Sequence, residues 1–249
     1  MSIIAIIPSR FDSTRFVGKP LAQIAGKSMI RRVYENVRQS QKVTDVVVAT
    51  DDPRIYHVVL DFGGKAVMTS LENRSGTDRV AEAANKMSLA PNDIIVNVQG
   101  DQPLLDPRCI DELVAPFFSA PNLSMATLAF KIINMDEITN PKDVKVTFDH
   151  QGYALYFSRS PIPFGRDAST RFETYKHLGF YAYKKQFLDT FSRLPEGKLE
   201  RVEKLEQLRA IEYGYRILVI ITPYDSPEVD LPEDIMRIEG ILRQGSKSQ

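Results

Sequence analysis

The sequence predicts an α/β fold of three layers, with a mostly parallel mixed sheet between helices and a small inserted antiparallel β layer. Two observations lead to this expectation. In the first half, short β-branched runs alternate with segments of helical period, which is the pattern of βαβ units. After Pro121 the long helical segments stop, and strand-like runs follow one another directly.

The first half contains four runs that are apolar on both faces, as expected for strands of a parallel sheet covered by helices. These strands are Ile3 to Ile7, Asp45 to Thr50, Lys65 to Met68 and Asp93 to Val98. Apolar stripes of helical spacing predict helices over Met29 to Val37, Ile55 to Phe62 and Ile110 to Phe118. Gly63 follows the second stripe and is expected to end that helix.

The second half supplies the inserted β layer, followed by a return to alternating elements. The predicted strands of the layer are Met125 to Ile132, Val144 to Phe148, Tyr153 to Phe157 and His177 to Tyr183. A helix over Leu199 to Tyr213, a strand over Ile217 to Thr222 and a last helix from about Pro232 to Leu242 complete the chain. Because no repeat or linker separates the halves, residues 1–249 are expected to form one domain with a β-rich insertion at about 124–185.

Composition excludes several classes of protein. The 32 Lys and Arg balance the 32 Asp and Glu, so the chain lacks the positive field of most nucleic-acid binders. The lone Cys109 cannot form an internal disulfide and gives no thiolate zinc site. The longest apolar runs are far shorter than the roughly 20 residues that span a bilayer, and no signal-like segment is present. We expect a soluble, cytoplasmic protein.

A cationic loop follows the first strand. It contains Arg10, Arg15 and Lys19 against one carboxylate, with Gly18 beside Lys19 and the hydroxyls of Ser13 and Thr14. In a doubly wound sheet this loop lies at the carboxyl edge, where ligands bind. Cations, hydroxyl donors and a glycine that allows close backbone approach suit a polyphosphate. The alternative is a solvated basic loop.

Two acids are candidates for a metal site. Asp101 projects from the end of the fourth strand, after Gly100 turns the chain, and Asp230 lies just before the last helix. One or two carboxylates together with substrate phosphates are the usual ligands of Mg²⁺. The alternative for Asp230 is an N-cap that satisfies the first N–H groups of the helix.

Two common nucleotide motifs are excluded. Gly26-Lys27-Ser28 looks like the end of a Walker A loop, but Leu21 stands where the motif requires a glycine. No G-x-G-x-x-G follows the first strand, so a dinucleotide site has no support.

Taken together and in order, eight segments resemble the 3-deoxy-manno-octulosonate cytidylyltransferases, or CMP-Kdo synthetases, from residue 3 to about residue 240. The segments are Ser9 to Leu21, Ala49 to Asp52, Ser75 to Arg79, Val96 to Asp101, Ala154 to Arg159, His177 to Gly179, Leu205 to Arg209 and Val229 to Asp234. The first is shared with sialic-acid cytidylyltransferases and other sugar nucleotidyltransferases, so their joint presence carries the resemblance. It implies a nucleotide-diphospho-sugar transferase-like fold and a nucleotidyltransferase domain.

The resemblance implies a reaction between CTP and the sugar acid 3-deoxy-D-manno-octulosonate (Kdo). The anomeric hydroxyl attacks the α-phosphorus and releases pyrophosphate, giving CMP-Kdo for lipopolysaccharide assembly. Such chemistry needs positioning and charge neutralisation more than a covalent nucleophile. It places Arg10 and Lys19 on the triphosphate and Arg15 in support of the loop. Asp101 and Asp230 then hold Mg²⁺, and Ser75 and Gly76 face the cytidine.

For the sugar acid, the resemblance implies binding by Gln99, Arg159, His177, Glu206 and Gln207. Some of these have structural alternatives. Glu206 and Gln207 lie in a segment of helical period that could be an exposed face, and His177 could be a hydrogen-bonded core histidine. The resemblance also implies a homodimer, with the β-rich insertion serving in dimerisation and sugar binding.

Three residues depart from the family's usual pattern. Val17 replaces a proline, which is expected to make the loop more mobile but not inactive. Ser9 stands where alanine is common. Gln102 replaces a glutamate, which removes a negative charge near the proposed metal.

Alternative substrates and activities remain open from the sequence. The 8-amino analogue of Kdo is an alternative substrate, and a CMP-sialate synthetase is a further one. A glycosyltransferase would need an Asp-x-Asp pair, which Asp101-Gln102-Pro103 lacks, and a nucleotide sensor would bind CTP without turnover.

Overall fold

In the computed structural model, residues 1–12, 15–167 and 169–245 are described. The chain forms two compact units, one of residues 1–111 with 226–249 and the other of residues 112–225. We call them the first unit and the second unit. The expectation of one domain with an insertion at about 124–185 stays a prediction.

The first half of the chain alternates strands and helices, as the sequence predicts. Its elements are β1 (Ile3–Ser9), β2 (Gln23–Ile24), β3 (Lys27–Ser28), α1 (Met29–Val37), β4 (Asp45–Thr50), α2 (Pro53–Asp61), β5 (Ala66–Met68), α3 (Gly76–Lys86), β6 (Ile94–Asn97) and α4 (Pro107–Val114). Two short 3₁₀ helices, Lys19–Leu21 and Ala115–Phe118, accompany them.

In the second half, strands come first and helices follow. The elements are β7 (Met125–Lys131), α5 (Asp136–Thr139), β8 (Lys145–Phe148), β9 (Ala154–Ser158), β10 (Tyr175–Lys184), α6 (Lys185–Arg193), α7 (Lys198–Glu203), α8 (Leu208–Glu212), β11 (Leu218–Thr222) and α9 (Asp234–Gly245).

The sheet of the first unit is parallel, which confirms the fold predicted for the first half. Its strands lie in the order β6-β1-β4-β5, with Ile6 opposite both Asn97 and Val47. Strands β1, β4 and β6 are almost completely buried, because helices cover both sides of the sheet. All carboxyl ends of these parallel strands therefore meet at one edge, where the loops after β1 and β6 begin.

The second unit has a mixed sheet that contains the expected antiparallel layer. Strand β7 pairs in parallel with β11 and antiparallel with β10, while β8 pairs antiparallel with β9 and β10. The register between β10 and β7 shifts between His177 and Tyr181. Gly179 lies inside this irregularity with φ +75°, a conformation that favours glycine.

Local sequence accounts for several boundaries. The Asp52 carboxylate accepts a hydrogen bond from the Arg54 N–H and caps α2, and Pro53 occupies the first position. Gly63, with φ +78°, follows this helix, as the sequence predicts. Ser75 caps α3 by accepting from the N–H of Asp78.

Some elements differ from expectation. The helix expected over Leu199 to Tyr213 is broken, because Lys204 has left-handed backbone angles (φ 54°, ψ 46°) that end α7. The last helix begins at Asp234, two residues after Pro232. Helices α3 and α6 and the β2–β3 hairpin were not predicted. No helix within the described ranges is long and apolar enough to cross a membrane.

Candidate active site

The first unit contains a cavity of about 300 Å³ at the carboxyl ends of its strands. The loops after β1 and β6, the segment before α9 and the N-terminus of α3 supply its walls. Eight of the residues singled out from the sequence line it: Arg10, Arg15, Lys19, Ser75, Gly76, Gln99, Asp101 and Asp230. Residues from four distant segments therefore share one space.

Two acids and two cations meet in this cavity. The Lys19 Nζ lies 2.7 Å from Asp101 Oδ2 and 4.0 Å from Asp230 Oδ1. It also donates to the Val229 carbonyl at 2.7 Å. The Arg15 guanidinium contacts both carboxylate oxygens of Asp230, at 3.0 and 3.2 Å. The Lys19 ammonium thus marks a position where two carboxylates, far apart in the chain, stabilise a positive charge.

The two acids suit a divalent ion. Carboxylate oxygens are ligands that Mg²⁺ prefers, and one or two of them with substrate phosphates are its usual set. No group of three or more His, Cys, Asp or Glu side chains with metal-site geometry occurs among the described residues. Asp101 and Asp230 therefore fit a metal that is completed by phosphate oxygens.

Asp230 is not the N-cap of the last helix. Helix α9 begins at Asp234, and the Asp234 carboxylate accepts from the N–H groups of Asp230 and Leu231, at 2.8 and 2.9 Å. The side chain of Asp230 is consequently available for the cavity. The capping alternative is wrong because the helix starts four residues later.

The loop after β1 is held by its own backbone and by an aromatic ring. The Gly18 N–H donates to the Phe11 carbonyl at 2.9 Å, and Gly18 has φ +70°. A Cβ on Gly18 would lie 3.1 Å from the Phe11 ring, whose face is covered by the Arg54 guanidinium at 3.3 Å. Glycine is needed here because of this positive φ and because a Cβ would crowd the Phe11 ring. Ser13 and Thr14, expected to contact phosphate, lie outside the described residues.

The opposite wall is the N-terminus of α3. Ser75 and Gly76 lie there, where the helix dipole favours a negative ligand. Behind them the buried Arg79 donates to Asp51 Oδ2 at 2.5 Å and to Thr69 Oγ1 at 2.6 Å. This ion pair ties α3 to the ends of β4 and β5.

The carboxyl group of Glu228 lies next to the neutral Gln102. The Gln102 side chain is buried, donates to Glu228 Oε1 at 3.1 Å and accepts from the Ser226 hydroxyl at 2.9 Å. Although Gln102 itself is neutral, Glu228 supplies an acid next to it. Burial, followed by repulsion from Asp101, raises the pKa of Glu228 to about 7, so Glu228 offsets only part of the negative charge that Gln102 removes.

His177 lies in the second unit, in β10. Its Nε2 is 2.9 Å from the Thr127 hydroxyl, which donates its own hydrogen to the Phe180 carbonyl at 2.6 Å. His177 must then carry the hydrogen on Nε2, which leaves Nδ1 as an acceptor. The ring packs against Phe157 and Tyr181, and its burial lowers the pKa of the imidazole to about 3. His177 is neutral at physiological pH.

The other residues assigned to the sugar acid differ in their surroundings. Arg159 donates to the carbonyls of Glu203, Pro141 and Lys204, so its guanidinium braces the backbone. Gln207 is 4% exposed, and no hydrogen-bond partner for its Nε2 occurs in the part of the chain that the structure describes. An exposed face is therefore wrong for Gln207. Glu206 is partly buried, with its carboxylate 3.7 Å from Arg209.

The cavity also contains residues that sequence reasoning missed. Asn73, Arg74 and Arg79 line it, and so does Ser9, which the sequence analysis named only as a departure from the family pattern. Arg79 is the last residue of the segment Ser75 to Arg79 named in the sequence analysis. An arginine among the apolar positions of a helix was the signal that could have identified it. Asn73 and Arg74 precede a helix that was not predicted, and nothing in their spacing marked them.

Comparisons with known proteins identify the family of this chain. A family model described as cytidylyltransferase matches residues 4–217. A 3-deoxy-manno-octulosonate cytidylyltransferase of Desulfosudis oleivorans is 64% identical over 97% of this chain and 98% of that protein. An 8-amino-3,8-dideoxy-manno-octulosonate cytidylyltransferase of Shewanella piezotolerans is 52% identical over 97% of this chain and 99% of that protein.

Solved structures give the same result. A CMP:2-keto-3-deoxy-manno-octonic acid synthetase complexed with CTP superposes with a TM-score of 0.92 and 40% identity, covering 98% of this chain and 100% of that one. A 4-diphosphocytidyl-2C-methyl-D-erythritol synthase has a TM-score of 0.65 at 15% identity, covering 97% and 98%. The second likeness shows the fold alone.

Proposed function

This chain belongs to the cytidylyltransferase family, and from that membership we propose that it transfers the cytidylyl group of CTP to Kdo, giving CMP-Kdo and pyrophosphate. The observation that carries the proposal is the meeting of Lys19, Asp101 and Asp230 in one cavity at the carboxyl ends of the parallel strands.

The chain's own residues have distinct tasks in this reaction. The anomeric oxygen of Kdo forms a bond to the α-phosphorus, and the bond from that phosphorus to the bridging oxygen of the β-phosphate breaks, so that pyrophosphate leaves. The hydroxyl proton passes to water. Lys19 and Arg10 hold the triphosphate and neutralise the charge that develops on the pyrophosphate, and Arg15 supports the loop and adds a third cation for the triphosphate. Asp101 and Asp230 would hold Mg²⁺, which when bound neutralises phosphate oxygens and makes the attacking hydroxyl more acidic.

Cytidine would lie towards Ser75 and Gly76. At Gly76 a Cβ would lie 3.4 Å from Pro8 Cγ, an ordinary van der Waals contact, so Pro8 borders this wall. The N–H groups at the start of α3 are donors that suit the acceptor atoms of a nucleotide. Arg79 is tied to Asp51 and Thr69, and it fixes this wall without contacting the ligand through those bonds.

The sugar acid would be bound by Gln99, Arg159, His177, Glu206 and Gln207. Gln207 gives the firmest support, because a buried amide donor without a partner costs about 1 to 3 kcal/mol and a ligand oxygen would satisfy it. His177 offers the Nδ1 acceptor to a sugar hydroxyl. Both groups are neutral, so they would select hydroxyls by hydrogen bonding and not by charge.

The 8-amino analogue of Kdo is the second candidate substrate, favoured by the relative from Shewanella piezotolerans. Identity to the relative named 3-deoxy-manno-octulosonate cytidylyltransferase is higher, 64% against 52%, so Kdo remains the first choice. A glycosyltransferase is disfavoured because the second acid of the cavity is Asp230, not a neighbour of Asp101.

The experiment is a measurement of pyrophosphate release. Kdo, its 8-amino analogue and sialic acid would each be combined with CTP, UTP, ATP and GTP in the presence of Mg²⁺. We expect release with CTP and Kdo at the highest kcat/KM. Binding of CTP without pyrophosphate from any sugar acid would contradict the proposal and indicate a nucleotide sensor.

The proposal includes a homodimer, a cytoplasmic location and a role in lipopolysaccharide synthesis. The second unit exposes large apolar side chains, among them Phe164 at 87% and Val202 at 82%. A second copy of the chain would cover such groups. Sedimentation equilibrium should give twice the chain mass of 28.2 kDa, and a mass of one chain would contradict the dimer.

A further inference from the structure

The cations and the acids of the cavity are paired with each other. Arg15 makes a two-pronged contact with Asp230, and Lys19 contacts Asp101 and approaches Asp230. Two positive and two negative charges therefore cancel. Yet under the proposed function, on which this inference rests, the cations serve the triphosphate and the acids serve the metal.

Each ligand consequently competes with a pair that already exists. A divalent metal needs the oxygens of Asp101 and Asp230, which the two cations hold. A triphosphate needs the cations, which the two acids hold. A metal by itself would add two positive charges to a neutral cluster, whereas metal and triphosphate together leave each charge with an opposite partner.

The two pairs differ in how easily they break. The Lys19 side chain is 16% exposed and has a further bond to the Val229 carbonyl, so it is fixed in place. The Arg15 side chain is 61% exposed and comes from the loop after β1. Exposed ion pairs contribute only about 0 to 1 kcal/mol, so Arg15 is the cation that a triphosphate can withdraw at low cost.

We propose that Arg15 is a displaceable counterion of Asp230 which makes metal binding depend on the nucleotide. Arg15 holds the Asp230 carboxylate until a triphosphate draws the guanidinium away, and only then are both oxygens open to the metal. Because coupling between two ligands is reciprocal, the metal must strengthen nucleotide binding by the same factor. The order nucleotide before metal, or both as one complex, follows.

The test measures binding without sugar acid and without turnover. Mn²⁺ binding to the full chain would be followed by electron paramagnetic resonance, first without nucleotide and then with CTP, after correction for the Mn²⁺–CTP complex in solution. The variants are Arg15→Gln, Arg15→Lys and, as the matched control, Arg74→Gln. Arg74 lines the same cavity but pairs with Asp78, at 3.4 Å, and not with either candidate metal ligand.

We expect Arg15→Gln to bind Mn²⁺ up to about fivefold more tightly without nucleotide, because a repelling charge is removed and Asp230 is released from an exposed pair. The factor by which CTP strengthens Mn²⁺ binding should fall by a similar amount. Arg15→Lys keeps the charge but not the two-pronged contact, so its affinity should lie between the two. Arg74→Gln should bind Mn²⁺ as the wild type does.

Unchanged Mn²⁺ affinity in Arg15→Gln, an unchanged coupling factor, or an equal effect of Arg74→Gln would each overturn the inference. Absence of Mn²⁺ binding by wild type and variant alike would do so too. These outcomes are separate from a failure of the proposed function, which shows as absent pyrophosphate release while Mn²⁺ and CTP binding can still be measured.

Discussion

Replacing Arg79 by methionine tests whether a buried ion pair holds the wall that is proposed to bind cytidine. Arg79 is 4% exposed, and its two hydrogen bonds reach Asp51 and Thr69 from the second turn of α3. Methionine fills much of the same space but leaves the Asp51 carboxylate, whose side chain is only 11% exposed, without this partner. Breaking a buried pair in this way costs about 3 to 5 kcal/mol.

The magnitude can be measured in two ways. Urea unfolding should show the lower free energy of unfolding directly, and for a chain of this size the melting temperature should fall by about 6 to 20 °C. Arg74→Met is the control, because Arg74 is 70% exposed and its pair with Asp78 is worth at most about 1 kcal/mol. CTP binding to folded Arg79→Met should also weaken, since α3 is no longer tied to β4.

A double variant separates charge from packing. Asp51→Asn added to Arg79→Met removes the unpaired charge, so the double variant should be more stable than Arg79→Met. The reasoning is refuted if Arg79→Met unfolds within about 1 kcal/mol of the wild type, which is the range of an exposed pair. It is equally refuted if the double variant is the least stable of the three.

The remaining predictions concern three other residues. Asp101→Ala should lower turnover about a hundredfold to a thousandfold with folding intact, and near-normal rates at saturating Mg²⁺ would remove Asp101 from the mechanism. His177→Ala should raise the KM for Kdo more than the KM for CTP; equal effects on both would indicate a structural role. Because the pKa of His177 is about 3 and the unfolded imidazole protonates near 6.5, this residue stabilises the fold fully above pH 6.5. That stabilisation declines as the pH falls, by at most about 2 kcal/mol at pH 5. NMR should show the neutral Nε2–H form of His177 at pH 5, and a protonated ring there would contradict the assignment. Ser9→Ala should raise the free energy of unfolding by about 1 kcal/mol, because the Ser9 hydroxyl is buried and has no partner among the described residues. Denaturant unfolding checks this, and a loss of stability would show that the hydroxyl is satisfied in solution.

Most strands were predictable because they are long, apolar and bounded by turn residues. Strand β4 has the expected limits, and β1 and β6 differ from expectation by one or two residues. Helix α3 was not predicted because it begins Gly-Thr-Asp-Arg and contains a buried arginine, which interrupts its apolar stripe. The break at Lys204 was not predicted because a lysine with left-handed backbone angles leaves the apolar pattern of the helix unchanged.

The cationic loop and Asp101 were predictable because loops after parallel strands converge on one edge, whereas Ser75, Gly76 and Gln99 rested on the family resemblance. The contacts that these residues make in the folded chain were not predictable. The pairing of Arg15 with Asp230, the acid that Glu228 places beside Gln102, and the lack of a partner for Gln207 are contacts between residues far apart in the chain or properties of their packing. Periodicity and spacing report only on near neighbours, so they carry no information about such contacts.

From its sequence alone, the chain could be assigned an α/β architecture, a cationic loop and two candidate acids, because strand patterns and local charge are properties of short segments. Tertiary structure decided that Asp230 faces Lys19 and not the helix behind it, that His177 is neutral, and that cations and acids of the cavity neutralise one another. Those outcomes depend on burial and on distances of a few ångströms, which arise only when separate segments are folded against each other.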